Sequence, residues 1–407
     1  MSVIDADANN EWRLETPGNE GWARSARPDA ENKYFMVSAD GHVQEPSTFL
    51  ADRVPEEYRE RLPGVVLTTI KSGNAQGSSE AYQKTEGFRP AKINWAQPLE
   101  GTDRVRNDGG RDPGTRLDEL ALDGVDAEIL FPNKGLTMWA TPDAQFSHAM
   151  CRAYNDWVWE AYGPHNDRLI PMAAIAPAAM DEAIAEIQRV AALGFKGLSL
   201  PTKPVFGPPD VDDLNYNLRE FEPLWDCIED VDLPVTFHIS TGRDPRTARS
   251  QGGAVINYVV HSLSPTVEPI VNLCASGVAE RHPTLRFGTI EANIGWVPFA
   301  LQAMDEGYLK HHMWVRPKLE LMPSDYFRRQ GFASFGDDHA GLLLAREFDL
   351  VDNFMWANDF PHHEGSWPYS AATIERTMGH LTDDERAKVL GLNAARVFGI
   401  DVPDRYR

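Results

Sequence analysis

The chain has 407 residues, 42% hydrophobic and 25% charged, a globular composition that excludes a wholly disordered or fibrous protein. Asp plus Glu number 61 against 39 Lys plus Arg, and a net charge of −22 repels phosphate backbones and anionic surfaces, so nucleic acid and membrane are excluded as partners. Three widely spaced cysteines (Cys151, Cys227, Cys274) fit neither a disulfide scaffold nor a zinc knuckle and point to a reducing, cytoplasmic setting.

Residues 1–33 are polar and acidic with no sustained period, and the expectation is a flexible amino-terminal arm. The opening Met-Ser-Val-Ile-Asp-Ala-Asp lacks the basic-then-apolar order of a secretory signal. Nowhere is there the run of roughly 18 apolar residues that a membrane-spanning helix needs. Residues 34–407 are expected to form one domain. Its first strand is the apolar run 34–40, and further strands are predicted at 127–130, 169–175, 196–200, 234–238, 286–291, 331–335 and 353–358.

Helical stretches are predicted between them, at Ala144–Tyr162, Met180–Leu193 and 270–281. In the second, Ile184, Ile187, Val190 and Ala191 share one face. Eight strands alternating with helices predict a (β/α)8 TIM barrel, an α/β fold with a parallel sheet. No G-x-G-x-x-G follows the first strand, which removes the main signature of a doubly wound sheet. Residues from about 46 to 115 do not fit the alternation and read as a long inserted βα segment over the carboxyl face. The glycine-containing stretch 240–256 reads as a second loop there.

In such a barrel, catalytic groups come from the carboxyl ends of several strands. The first strand ends with Asp40, His42 and Glu45, the fifth with His238, the sixth with Glu291 and the eighth with Asp359. Each has an ordinary structural use alone: a turn cap, a loop histidine, or an acid before proline. Together at matched strand ends they suit one divalent metal, and oxygen and nitrogen donors without thiolate favour Zn, Mn or Fe. The expected ligands are Asp40, His42, His238 and Asp359, with Glu45 and Glu291 as additional candidates. Asp359, Glu291 and His238 are the expected catalytic groups.

Four segments carry a resemblance: Asp-Gly-His-Val-Gln-Glu-Pro at 40–46, Arg-Phe-Gly-Thr-Ile-Glu-Ala-Asn-Ile-Gly-Trp-Val-Pro at 286–298, Trp-Ala-Asn-Asp-Phe-Pro-His at 356–362 and Leu-Asn-Ala-Ala-Arg-Val-Phe-Gly at 392–399. The chain resembles amidohydrolase family 2, which includes the aminocarboxymuconate-semialdehyde and hydroxybenzoate decarboxylases, over about residues 36–399. The resemblance implies a distorted TIM barrel with one divalent metal, and a homodimer. It places Asp40 and His42 at the family's first-strand ligand pair, His238 at the fifth-strand ligand and Asp359 at the eighth-strand aspartate. Glu291 stands where decarboxylases often carry an acid/base histidine, and a carboxylate there cannot donate a proton at neutral pH unless burial raises its pKa.

The leading expectation is a metal-dependent hydrolase or nonoxidative decarboxylase acting on a small aromatic or unsaturated carboxylic acid. In hydrolysis Asp359 accepts the water proton; in decarboxylation it hands a proton to the ring carbon. Arg104, Arg106 and Arg116 are candidates to grip the substrate acid, although the leading expectation for each is an exposed charge. Counting Glu45 and Glu291 gives four carboxylates and two imidazoles, the inventory of a non-heme di-iron oxygenase with two Fe, which is the alternative. A catalytically inactive binding barrel is the second alternative.

His261, His282, His311 and His312 show no carboxylate partner in the sequence, and a surface turn is expected for His282. His362 and His363 read as donors to Asp359 or to substrate. Trp296, Trp356 and Trp367 read as rim packing or as a wall for an aromatic ligand. Asn393 reads as a loop-fixing residue, and the cysteines as inert core thiols.

Overall fold

The computed structural model describes residues 34–62, 109–205, 214–241, 251–362 and 365–406. The expected amino-terminal arm, and residues 63–108 of the expected insertion with Arg104 and Arg106, lie outside the described residues, as does His363.

Nine strands are described: β1 Val37–His42, β2 Ala127–Phe131, β3 Leu169–Pro171, β4 Ala173–Ala174, β5 Leu198–Leu200, β6 Val235–His238, β7 Phe287–Ile290, β8 Gly331–Phe335 and β9 Phe354–Trp356. All pair in parallel, as β1-β2-β3 and as β4 through β9 in sequence order. The single strand expected at 169–175 is broken at Met172. Its N–H turns back to the Leu130 carbonyl, whereas the Ala173 N–H bonds Gly197 on the other side. One chain segment thus serves two neighbours, and eight positions result. A parallel bridge between Gly41 and Phe360 brings the segment after β9 back onto β1. There the His42 N–H donates to the Phe360 carbonyl at 2.8 Å and the Asp359 N–H to that of Asp40 at 3.2 Å. The arrangement is the expected α/β barrel.

Every strand residue is buried, as parallel strands covered on both faces require. One apolar cluster joins Val37, Ala39, Ile129, Ile170, Ile290 and Met355 to Ala394, Val397 and Phe398 of the last helix, Asn393–Phe398, which floors the barrel. A larger cluster packs the outward residues against the helices. The helix Ala144–Tyr162 starts at Asp143, whose side chain accepts from the Gln145 and Phe146 N–H groups. Met180–Leu193 stops at Gly194 with φ 106°, a left-handed cap that a side chain would strain. The helix expected at 270–281 is found as two, Ser264–Ala275 and Val278–Arg281. Among the described residues no helix is long and apolar enough to cross a membrane.

One irregularity positions the site. Val37 pairs with Ala127 and His42 with Phe131, so five steps along β1 match four along β2, with the shift between Ser38 and Gly41. Ala127 and Phe131 lie on the same face by the two-residue period. The extra residue in β1 therefore puts His42 on the face that Val37 started on, and Asp40 beside it. Backbone strain gathers at the same end: Ser240, Glu291, Asn293 and Asp359 all have φ between 54° and 69° just past their strands.

Candidate metal centre

Asp40 and His42 arrive from the bulged end of β1, His238 from the last position of β6, Glu291 from the residue after β7, and Asp359 from the turn after β9. Asp40, His42 and His238 are almost fully buried. His42 Nδ1 lies 2.8 Å from the Pro132 carbonyl and His238 Nδ1 2.8 Å from the Ile239 carbonyl. A carbonyl only accepts, so each Nδ1 carries a proton, and each ring turns its Nε2 to the barrel mouth. Burial, then the neighbouring His362 and His238, hold His42 well below its ordinary pKa, so it is neutral.

The two Nε2 atoms meet oxygens. Asp40 Oδ1 is 3.6 Å from His42 Nε2 and 3.4 Å from His238 Nε2. Asp359 Oδ1 is 3.4 Å from His42 Nε2, and Glu291 Oε2 is 3.9 Å from His42 Nε2 and 3.5 Å from His238 Nε2. Asp40 Oδ1 and both Nε2 atoms are buried without a hydrogen-bond partner. Acceptors thus face acceptors at buried atoms, an arrangement that costs several kcal/mol unless a cation lies among them. Donors around a tetrahedral ion with bonds of about 2.0–2.1 Å are about 3.3–3.5 Å apart, close to the spacing found here. Two groups of donors could hold an ion: Asp40, His42, His238 and Glu291, and a second of His42, Glu291, Asp359 and His362. Both use His42, whose Nδ1 is committed to Pro132. One nitrogen lone pair binds one ion, so these are two descriptions of one centre.

Glu45 is in neither group. Its Oε1 accepts from the Asn133 and Gly135 N–H groups and its Oε2 from that of Lys134, at 2.9–3.0 Å. It anchors the start of the short helix Lys134–Thr137. Burial raises its carboxyl above the usual range while those donors pull it down. No helix begins at Pro46, so Glu45 is not a residue preceding a helix start there.

Arg116 is neither an exposed charge nor a substrate clamp. It is fully buried behind the site, with Nε on Glu128 Oε2 at 2.7 Å. Burial opposes its charge, yet Glu128 outweighs that and raises its pKa. Burial pushes Glu128 up to about 7 against the pull of Arg116.

His362 joins the cluster more closely than expected: its ring stacks on His42 with centroids 3.9 Å apart, and its Nδ1 lies 3.0 Å from Asp359 Oδ1. Its spacing of three from Asp359 was visible in the sequence. Ser334, whose Oγ accepts from the Glu291 N–H at 3.0 Å, carried no signal. His282 is buried between Glu222 and Glu229, not in a surface turn; both carboxylates lie on one helix, Glu222–Asp230, far from His282 in sequence. Trp367 donates to the Glu119 carbonyl and Asn393 to those of Val351 and Phe354, as packing and loop-fixing residues. The three cysteines are free and buried, and burial pushes each thiol up, as inert thiols require.

Above the cluster lies a cavity of about 400 Å³ lined by Asp40, Glu291 and Asp359 together with Tyr258, Asn293, Ser334, Phe335 and Asp337. That volume is within the range of small-molecule sites.

A parallel barrel with carboxylates and imidazoles converging at its carboxyl mouth defines a TIM-barrel enzyme with a metal-binding type of site. The amidohydrolase family model matches residues 48–400, and the chain belongs to that family. It is 25% identical over 311 residues to the gamma-resorcylate decarboxylase of Rhizobium radiobacter, covering 70% of this chain and 87% of that protein. The crystal structure of 5-carboxyvanillate decarboxylase from Sphingomonas paucimobilis superposes with a TM-score of 0.64 at 23% identity, covering 91% of this chain and 100% of that one. The dihydroxybenzoic acid decarboxylase of Polaromonas sp. JS666, crystallised with manganese and the inhibitor 2-nitroresorcinol, superposes at 0.57 with 16% identity, covering 91% and 98%.

Proposed function

We propose that the protein is a nonoxidative decarboxylase of a small phenolic or otherwise aromatic carboxylic acid, with one divalent metal held by Asp40, His42, His238 and Asp359. One observation carries it: three buried acceptor atoms, Asp40 Oδ1, His42 Nε2 and His238 Nε2, converge with no hydrogen-bond donor among them. The relatives' substrates and the manganese of the Polaromonas enzyme support the substrate class and the type of ion.

The bound ion would supply a fixed positive charge that orients the substrate's carboxylate and adjacent hydroxyl and stabilises negative charge as the carbon–carbon bond breaks. Asp359, with His362 on its Oδ1, takes the proton of the substrate hydroxyl and returns it to the ring carbon. The electron pair of the broken bond goes to that carbon, carbon dioxide leaves, and a solvent proton restores the product hydroxyl. Tyr258 and Phe335 give the cavity aromatic walls, and Glu291 borders the reacting centre as a further ligand or proton acceptor.

The sharing of His42 by both donor groups and the engagement of Glu45 with three backbone donors disfavour a two-iron centre. An inactive binding barrel would have no reason to keep the converging donors. Supplied with manganese or zinc, the protein should release carbon dioxide from 2,6-dihydroxybenzoate or 5-carboxyvanillate, and Asp359→Ala should abolish it while staying folded. Turnover by that variant at the parent rate would remove Asp359 from the reaction. Hydrolysis of an amide or ester with no decarboxylation would move the protein to the hydrolytic branch, which Glu291 fits equally well.

A homodimer is part of the same proposal. The exposed Val255, Val259, Val260, Met313 and Trp314 support it, and sedimentation equilibrium at twice the chain mass is the expected result. Free, buried cysteines support a reducing, cytoplasmic setting.

A further inference from the structure

Arg116 lies on the helix Pro113–Asp123, remote in sequence from every candidate ligand. Besides Glu128, its guanidinium serves two carbonyls: Nη1 donates to His42 at 2.7 Å and Nη2 to Phe360 at 3.0 Å. These belong to the two chain segments that close the barrel, one at His42 itself and the other one residue after Asp359. The Phe360 ring also packs on the guanidinium, 5.2 Å from its centroid. Two glycines make room: a Cβ on Gly41 would be 2.0 Å from Glu128 Oε1, and one on Gly110 would be 2.5 Å from Arg116 Nη1. A buried ion pair stabilises little relative to apolar packing, so stability alone does not account for this one. The rigid planar fork does something packing cannot, because it fixes the separation of the carbonyls it bonds.

We propose that Arg116, with Glu128 as counter-charge, is a positioning residue that holds His42 and Asp359 at their 3.4 Å separation and thereby sets the metal affinity of the site. The proposal rests on the metal-centre reading above. Arg116→Lys keeps the cation, but one ammonium cannot serve three acceptors in fork geometry. Mn²⁺ affinity, measured by competition with a fluorescent chelator, should fall about 10- to 100-fold while circular dichroism stays that of the parent.

Ile228→Ala, in the helix Glu222–Asp230 of the outer layer, is the control for lost stability alone and should keep Mn²⁺ affinity within about twofold. Gly110→Ala retains both charges but crowds Nη1, and should weaken Mn²⁺ binding in the same direction. Folded Arg116→Lys with parental Mn²⁺ affinity overturns the proposal. An equal loss in Ile228→Ala does so too, and insolubility of both Arg116→Lys and Gly110→Ala would make Arg116 a folding residue only. A parent protein that binds no Mn²⁺ or Zn²⁺ at all would instead sink the metal-centre reading itself.

Discussion

Replacing Glu45 by Ala separates a structural carboxylate from a metal ligand. The substitution removes the acceptors of three backbone N–H groups, at Asn133, Lys134 and Gly135. Gly135 is buried and loses the partner of its N–H, while Asn133 and Lys134 are partly exposed and can recruit water. A stranded buried donor costs about 1–3 kcal/mol, with the lower end applying where water reaches. Removal of a carboxylate whose burial opposes its charge offsets part of this, leaving an expected net loss of about 2–4 kcal/mol. Urea denaturation followed by tryptophan fluorescence should show the shift in midpoint with an unchanged slope. Elemental analysis of the same sample, loaded with manganese and dialysed, should still give one ion per chain. Loss of the ion with stability unchanged would refute this reasoning and bring Glu45 back as a ligand, and with it the two-iron reading.

His238→Ala should lower Mn²⁺ affinity by about 100-fold or more with the far-ultraviolet spectrum intact, and a parental affinity would exclude it as a ligand. Gly41→Ala places a methyl 2.0 Å from Glu128 Oε1, so the carboxyl must leave Arg116; about 3 kcal/mol of stability should go, read by urea midpoint. Glu385 is lowered to about 2 by its bond to Arg346, with burial opposing, so its folded pKa is below its unfolded one. Its contribution is then complete above pH 4.5 and fades as pH falls toward 2. On a partly exposed pair that is about 1 kcal/mol after screening, and Glu385→Gln should flatten that limb of the stability–pH curve.

Sequence alone determined the fold class and most of the candidate metal site. Parallel strands buried on both faces must be apolar runs, and chemistry in a barrel must come from the polar residues that end them. Asp40, His42, His238, Glu291 and Asp359 are therefore visible without coordinates, and the structure brings all five to one point. Other features depended on which distant segments touch. Glu45 and Arg116 are charged residues near the motifs, and sequence cannot tell a ligand or clamp from a buried anchor. Glu45 is engaged by the 133–135 backbone, and Arg116 by Glu128 and two carbonyls of the closing seam. Nor does the pattern of β1 show its bulge, because an extra residue changes the facing of side chains only relative to a partner strand. Local periodicity fixes which residues end a strand. Only closure of the barrel decides which of those ends converge on the candidate site and which merely hold the wall.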